Sequence, residues 1–109
     1  MTDGKRTAAS KRTKFPRDAR KSKDFIKDWE KLSRSGKHDM HRLKEAMTLL
    51  FNDDAPLPPE WKDHQLGGDM GDLRECHVKG DLLLVYQIQK VNKGELVIFL
   101  NACTHSEIF

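Results

Sequence analysis

The residues that could do chemistry in this chain gather in its second half. His64, Glu75, His77 and Asp81 fall within eighteen positions of one another, and a further histidine, His105, returns close to the last residue. Imidazole is the side chain best suited to exchanging protons near neutral pH, and carboxylates beside it can orient it, share its proton or join it on a metal ion. Three histidines with two acids therefore point to proton transfer, metal binding or both. Several other chemistries are excluded. No glycine-rich phosphate loop leads into a helix, no serine sits on a nucleophile elbow, and no Cys-x-x-Cys pair is present to build a zinc ribbon. A metal site of His64, His77, Asp81 and His105 stays open as an alternative, although no signature spacing supports it. His38 and His41, spaced i, i+3, could also grip a metal but have no third ligand nearby in sequence. They are expected to be a solvent-exposed pair and serve as internal controls.

The elements that must position these groups can be read from periodicity. Ser22 is a helix N-cap with Asp24 in the first turn; Phe25, Ile26, Trp29 and Leu32 form an apolar stripe that ends at Ser35-Gly36. A second helix is expected from His38-Asp39 to about Phe51, burying Met40, Leu43, Met47 and Leu50, with His41 and Glu45 pointing elsewhere. The run Asn52 to Pro59 stops it. Residues 60–72, with three glycines, read as an irregular loop carrying His64. Strands follow over Leu73–Val78, Leu82–Val91 and Glu95–Thr104, joined by turn signals at Gly80-Asp81 and Asn92-Lys93-Gly94, which makes them antiparallel neighbours. A short polar strand is expected over 12–16. The fold class is thus α/β (α+β): a small, mainly antiparallel sheet packed against an N-terminal helical hairpin.

Alternation along the first long strand puts Cys76 and Val78 under the helices and leaves Glu75 and His77 together on the open face. Asp81 lies just beyond the turn. The antiparallel return of the last strand brings His105 back towards it, and the loop can fold His64 over the group. Histidines beside carboxylates on an open sheet face suit metal-free RNA cleavage, in which a base takes the ribose 2′-OH proton and an acid protonates the leaving 5′-oxygen.

Charge adds a second clue. The net charge of +3 divides into +7 over residues 1–23 and −4 over the remainder, a basic arm on a mildly acidic body, as expected for contact with a polyanion. Residues 1–19 are accordingly expected to be a largely flexible basic arm, and 20–109 the folded domain. No apolar run is long enough for a membrane span, the N-terminus lacks the apolar centre of a secretory signal, and Cys76 and Cys103 read as buried thiols. A cytoplasmic location is expected.

The segment from Trp61 to Phe109 resembles the YafQ-type toxins of the RelE/ParE superfamily of bacterial toxin–antitoxin systems. The matching pieces are Lys62-Asp63-His64-Gln65-Leu66-Gly67, Arg74-Glu75-Cys76-His77-Val78, Asp81-Leu82-Leu83-Leu84-Val85-Tyr86 and Thr104-His105-Ser106-Glu107-Ile108-Phe109, with Leu43–Leu50 of the second helix fitting as well. The resemblance covers about residues 20–109 and implies a RelE-like fold and a ribosome-dependent endoribonuclease that cuts mRNA in the 30S A site, contacting rRNA. It places His64, His77, Asp81 and His105 as catalytic groups and Arg74, Glu75 and Phe109 on the substrate. It implies no cofactor and no required metal, since the 2′-OH is the nucleophile and a 2′,3′-cyclic phosphate results. The implied partner is a cognate antitoxin, acidic and partly disordered when free, through which alone the toxin would meet operator DNA. Two departures stand out: Leu82 replaces a common tryptophan, and Asn101-Ala102-Cys103 replaces the usual Arg-Thr-Gly. The rival classes are a ParE-like toxin that binds DNA gyrase without catalysis, which would not need the histidines, and an antitoxin-dependent DNA-binding corepressor.

Overall fold

The computed structural model describes residues 17–52, 57–67, 72–91 and 94–104. The expected strand over 12–16, most of the basic arm, His105 and Phe109 lie outside the described residues. Five strands and two helices are seen: β1 (Arg17–Lys21), α1 (Lys23–Ser35), α2 (Met40–Asn52), a 3-10 turn (Pro59–Trp61), β2 (His64–Gln65), β3 (Arg74–Lys79), β4 (Leu82–Val91) and β5 (Gly94–Thr104). They form one sheet in the order β1-β5-β4-β3-β2, in which only β1 pairs in parallel. The α+β architecture with a mainly antiparallel sheet agrees with the expectation from sequence. Among the described residues no helix is long and apolar enough to cross a membrane.

Two strands were not legible in the sequence. β1 is Arg-Asp-Ala-Arg-Lys, without apolar alternation; it exists because its backbone pairs with residues 95–99 of β5. Ser22 then does two jobs. Its hydroxyl accepts from Phe25 N–H at 2.9 Å, capping α1, and donates to Leu100 O at 2.8 Å, so the cap also ties the helix start to β5. Gly36 ends α1 in the left-handed conformation at φ 68°, where a side chain would be strained. The second unforeseen strand is β2. His64 lies in a two-residue strand paired opposite Glu75, and so belongs to the sheet rather than to an irregular loop.

The core lies between the helices and one face of the sheet. Phe25 and Leu32 of α1 and Leu43, Ala46 and Leu50 of α2 meet Cys76, Val78, Leu84, Tyr86, Val97, Phe99 and Ala102. Each large aliphatic or aromatic side chain buried here contributes roughly 1.5–3 kcal/mol. Trp29, Met40 and Met47 pack at the margin. Ile26, expected in the α1 stripe, is instead 47% exposed, because the stripe that faces β5 runs through Phe25 and Leu32. A register shift between Val85 and Tyr86 leaves Leu100 as an extra residue in β5. It keeps Phe99 and Ala102 on the core face while Asn101 and Cys103 pair with Val85 and Leu83 on the other.

Two polar clamps hold the 3-10 turn and β2 in place. The Arg42 guanidinium stacks on Trp61 at 3.7 Å, donates to Val78 O at 3.1 Å, and bonds Glu60 at 2.7 Å. Asp63 accepts from Tyr86 Oη and, at 3.0 Å, from Arg74 Nη2. Arg74 is therefore on the core side of β3, engaged by Asp63, with its pKa raised first by that hydrogen bond. It faces away from Glu75.

Cutting the second clamp should loosen the element that carries His64. Asp63→Ala leaves the buried Tyr86 hydroxyl without its acceptor and should cost about 2 kcal/mol in a denaturant titration, with an unchanged m-value. The core also sets an alkaline limit. Burial, with Asp63 and Glu75 nearby, pushes the Cys76 thiol up to about 12. Below pH 9 that thiol is neutral in both states and contributes no pH dependence. Above it the unfolded chain ionises and the folded one does not, so stability falls as pH rises from 9 towards 12. Melting curves of Cys76→Ala should fall less steeply across that window than those of the parent.

Candidate active site

Pairing of β2 with β3 sets His64 directly opposite Glu75, and His77 follows two residues along the same face of β3. The rings of His64 and His77 lie 6.1 Å apart, and ligand atoms of His64, Glu75 and His77 all fall within 4.8 Å of one another. The sequence reading put Glu75 and His77 on one open face. They do share a face, but it is not open around the acid: Glu75 is only 3% exposed, and its neighbours Leu83 and Val85 are buried as well. His77 is half-buried, and His64 is exposed.

The hydrogen bonds of His64 determine what it offers. Its Nδ1 is 2.8 Å from Lys62 O; a carbonyl can only accept, so Nδ1 carries the proton. Lys62 is held for this task in the left-handed conformation at φ 49°, where its own N–H donates to Pro59 O at 3.0 Å. With Nδ1 committed, Nε2 faces Glu75 Oε1 at 3.2 Å. A neutral ring would point a lone pair at a carboxylate oxygen there. The contact becomes attractive when the pair holds one extra proton, on Nε2 or on the carboxyl, or when a cation sits between them. The other oxygen of Glu75, Oε2, is buried and has no hydrogen-bond partner among the described residues. A buried, half-satisfied carboxylate is costly, so the site favours a proton donor or a metal ion at this point.

Two imidazoles and one carboxylate also form a donor set suited to zinc or copper. His64, Glu75 and His77 would hold such an ion. This set differs from the His64, His77, Asp81 and His105 combination considered from sequence, and Glu75 enters because burial on the sheet brings it to the histidines.

Asp81 stands apart from that cluster. It is exposed in the turn between β3 and β4 and lines a cleft with Lys37, His38 and Lys79. His105 directly follows Thr104, which pairs with Leu82 next to Asp81. His38 was expected to be a bystander but is half-buried in the loop between the helices and lines the same cleft as Asp81. No sequence signal marked it, because its approach to the β3–β4 turn is purely tertiary. His41, on α2, is exposed as expected. Cys76 is buried and Cys103 half-buried on the site's side of β5.

Comparison with known proteins identifies the family. The family model of a bacterial toxin of type II toxin–antitoxin systems, YafQ, matches residues 17–109. The mRNA interferase toxin YafQ of Escherichia coli K12 is 38% identical over 93 residues, covering 85% of this chain and 96% of that protein. Among solved structures, the E. coli DinJ–YafQ complex matches at 39% identity and a TM-score of 0.71, over 85% of this chain and 98% of that one. A metal-bound toxin from Helicobacter pylori matches at 40% identity and a TM-score of 0.72, over 84% and 98%. The match spans every described element from β1 to β5, and this chain belongs to the YafQ family of type II toxin–antitoxin toxins.

Proposed function

We propose that this protein is an mRNA interferase that cuts mRNA on the ribosome, in the A site, by attack of the ribose 2′-oxygen on the adjacent phosphate. The observation that carries the reading is the His64–Glu75–His77 cluster, in which one imidazole nitrogen lies 3.2 Å from a buried carboxylate oxygen and a second imidazole stands beside it. Among the described residues no hydrogen bond holds the His77 ring, so it is available to take the 2′-OH proton as the 2′-oxygen bonds to phosphorus. The proton held between His64 and Glu75 passes to the 5′-oxygen as its bond to phosphorus breaks. A 2′,3′-cyclic phosphate and a 5′-hydroxyl result, so atoms and charge balance without a cofactor. Asp81, and His105 and Phe109 by their match to the family, complete the site on the substrate side. Related toxins crystallise with the antitoxin DinJ, which supports a cognate antitoxin as the partner here. An acidic, initially flexible segment of it would cover the cluster.

A metal ion on His64, Glu75 and His77 would act as a Lewis acid, and related H. pylori toxins are metal-bound or copper-bound. Protein stripped with chelator and then diluted onto intact, mRNA-programmed ribosomes separates the two cases. Undiminished cleavage supports the proton-transfer reading, whereas loss of cleavage that zinc restores contradicts it.

The residues should separate in a mutational series scored by primer extension. His64→Ala and His77→Ala should each lower cleavage by about 10²–10⁴-fold while keeping the fold, and His41→Ala should change nothing. Glu75→Gln is the more telling variant. It removes a buried, half-satisfied charge and supplies an N–H for Nε2, so its melting temperature should equal or exceed the parent's while cleavage falls. A cleavage rate equal to the parent's would remove Glu75 from the chemistry.

A further inference from the structure

His38 lies where two cavities meet. One, of about 440 Å³, runs along the end of β5 beyond the point where β1 stops pairing. It has Lys31 and Ser35 on its helical side and Leu66, Leu73 and Val85 as an apolar floor. The other, of about 470 Å³, holds Asp81 with Lys37 and Lys79. The loop that carries His38 is anchored on both sides by its neighbour Asp39, whose carboxylate accepts from Arg42 N–H at 3.0 Å and from Lys79 Nζ at 3.4 Å. The half-buried imidazole is therefore set in place by the fold.

We propose that His38 is a substrate-binding residue of this site, contacting the phosphate of one mRNA nucleotide that occupies the cavity beside β5. The inference rests on the reading above and adds a residue and a position to it. The floor of this cavity shares the sheet face of the cluster: Val85 lies between Glu75 on β3 and Asn101 on β5, so cavity and cluster are one strand apart. An apolar floor suits the face of a nucleobase, and a volume of this size accommodates one nucleotide. Phosphate contacts come from cationic and N–H donors at the rim, where Lys31 and His38 stand. The acid facing the cavity is Asp28, and its Oδ2 accepts from Ala102 N–H at 2.9 Å and from Asn101 at 3.3 Å, which turns its charge towards the β5 backbone. The second cavity sets Asp39 and Asp81 against Lys37 and Lys79, so it offers a phosphate no net positive charge, and the anion is placed on the β5 side of His38.

The test compares the parent, His38→Ala, His38→Arg and the control His41→Ala by two readouts. The first is fluorescence anisotropy of a short 2′-O-methylated single-stranded RNA, which binds but cannot be cut. The second is kcat and KM on ribosome-held mRNA. His38→Ala should weaken oligonucleotide binding and raise KM by about tenfold, with kcat and melting temperature unchanged. His38→Arg should recover most of the loss, and His41→Ala should match the parent. Parental affinity in His38→Ala overturns the proposal, as does a fall in kcat with affinity unchanged. If the parent fails to cut ribosome-held mRNA, the functional reading falls on its own, and the anisotropy comparison still decides the role of His38. A parent that binds no RNA overturns both.

Discussion

A carboxylate buried in a sheet, with an imidazole on one oxygen and no partner among the described residues on the other, has to be held there by the rest of the fold. Glu75 could relieve its cost by turning to solvent, but the pairing of β3 between β2 and β4, with Leu83 and Val85 buried on the same face, keeps it in place. His64 is held from the other side. The left-handed Lys62 presents its carbonyl to Nδ1, the 3-10 turn before it is clamped by Arg42 on Trp61, and Asp63 ties the strand to Tyr86 and Arg74. These contacts lie on different elements, yet each fixes the distance between one imidazole nitrogen and one carboxylate oxygen. The result is a His64–Glu75 contact whose geometry is fixed by the fold before any substrate arrives.

The extent to which this could be read from sequence follows from the physics of each element. Helices α1 and α2 and strands β3 to β5 were legible because each buries a periodic apolar set between recognisable caps and turns. Ser22 and Gly36 mark the ends of α1 directly. β1 was not legible, since a strand of Arg-Asp-Ala-Arg-Lys carries no pattern and is specified by the edge of β5 that it meets. β2 was hidden for the same reason, with only two residues paired and both exposed. The sharing of one face by Glu75 and His77 followed from alternation along β3, but the burial of Glu75 did not, because alternation says which face a residue takes and not what covers that face. Arg74, adjacent to Glu75 in sequence, takes the opposite face by the same alternation. His38 was expected to be exposed because helix–loop–helix periodicity gives no information on which turn of a sheet the loop will touch.

One of the two departures from the family's usual residues falls at the end of β5. Where the resemblance leads one to expect Arg-Thr-Gly, this chain has Asn101-Ala102-Cys103, and the bulge at Leu100 sets Ala102 into the core while Asn101 and Cys103 face the site. The change leaves no cation at position 101, while Lys31 and His38 line the cavity beside it on the helical side.

The central claim is that this site uses the RNA's own 2′-oxygen as nucleophile. Mass spectrometry of the upstream fragment from ribosome-held mRNA tests it most directly. A 2′,3′-cyclic phosphate at the new 3′ end, paired with a 5′-hydroxyl on the downstream fragment, is the predicted result. A free 3′-hydroxyl with a 5′-phosphate downstream would show that water was the nucleophile and would contradict the account.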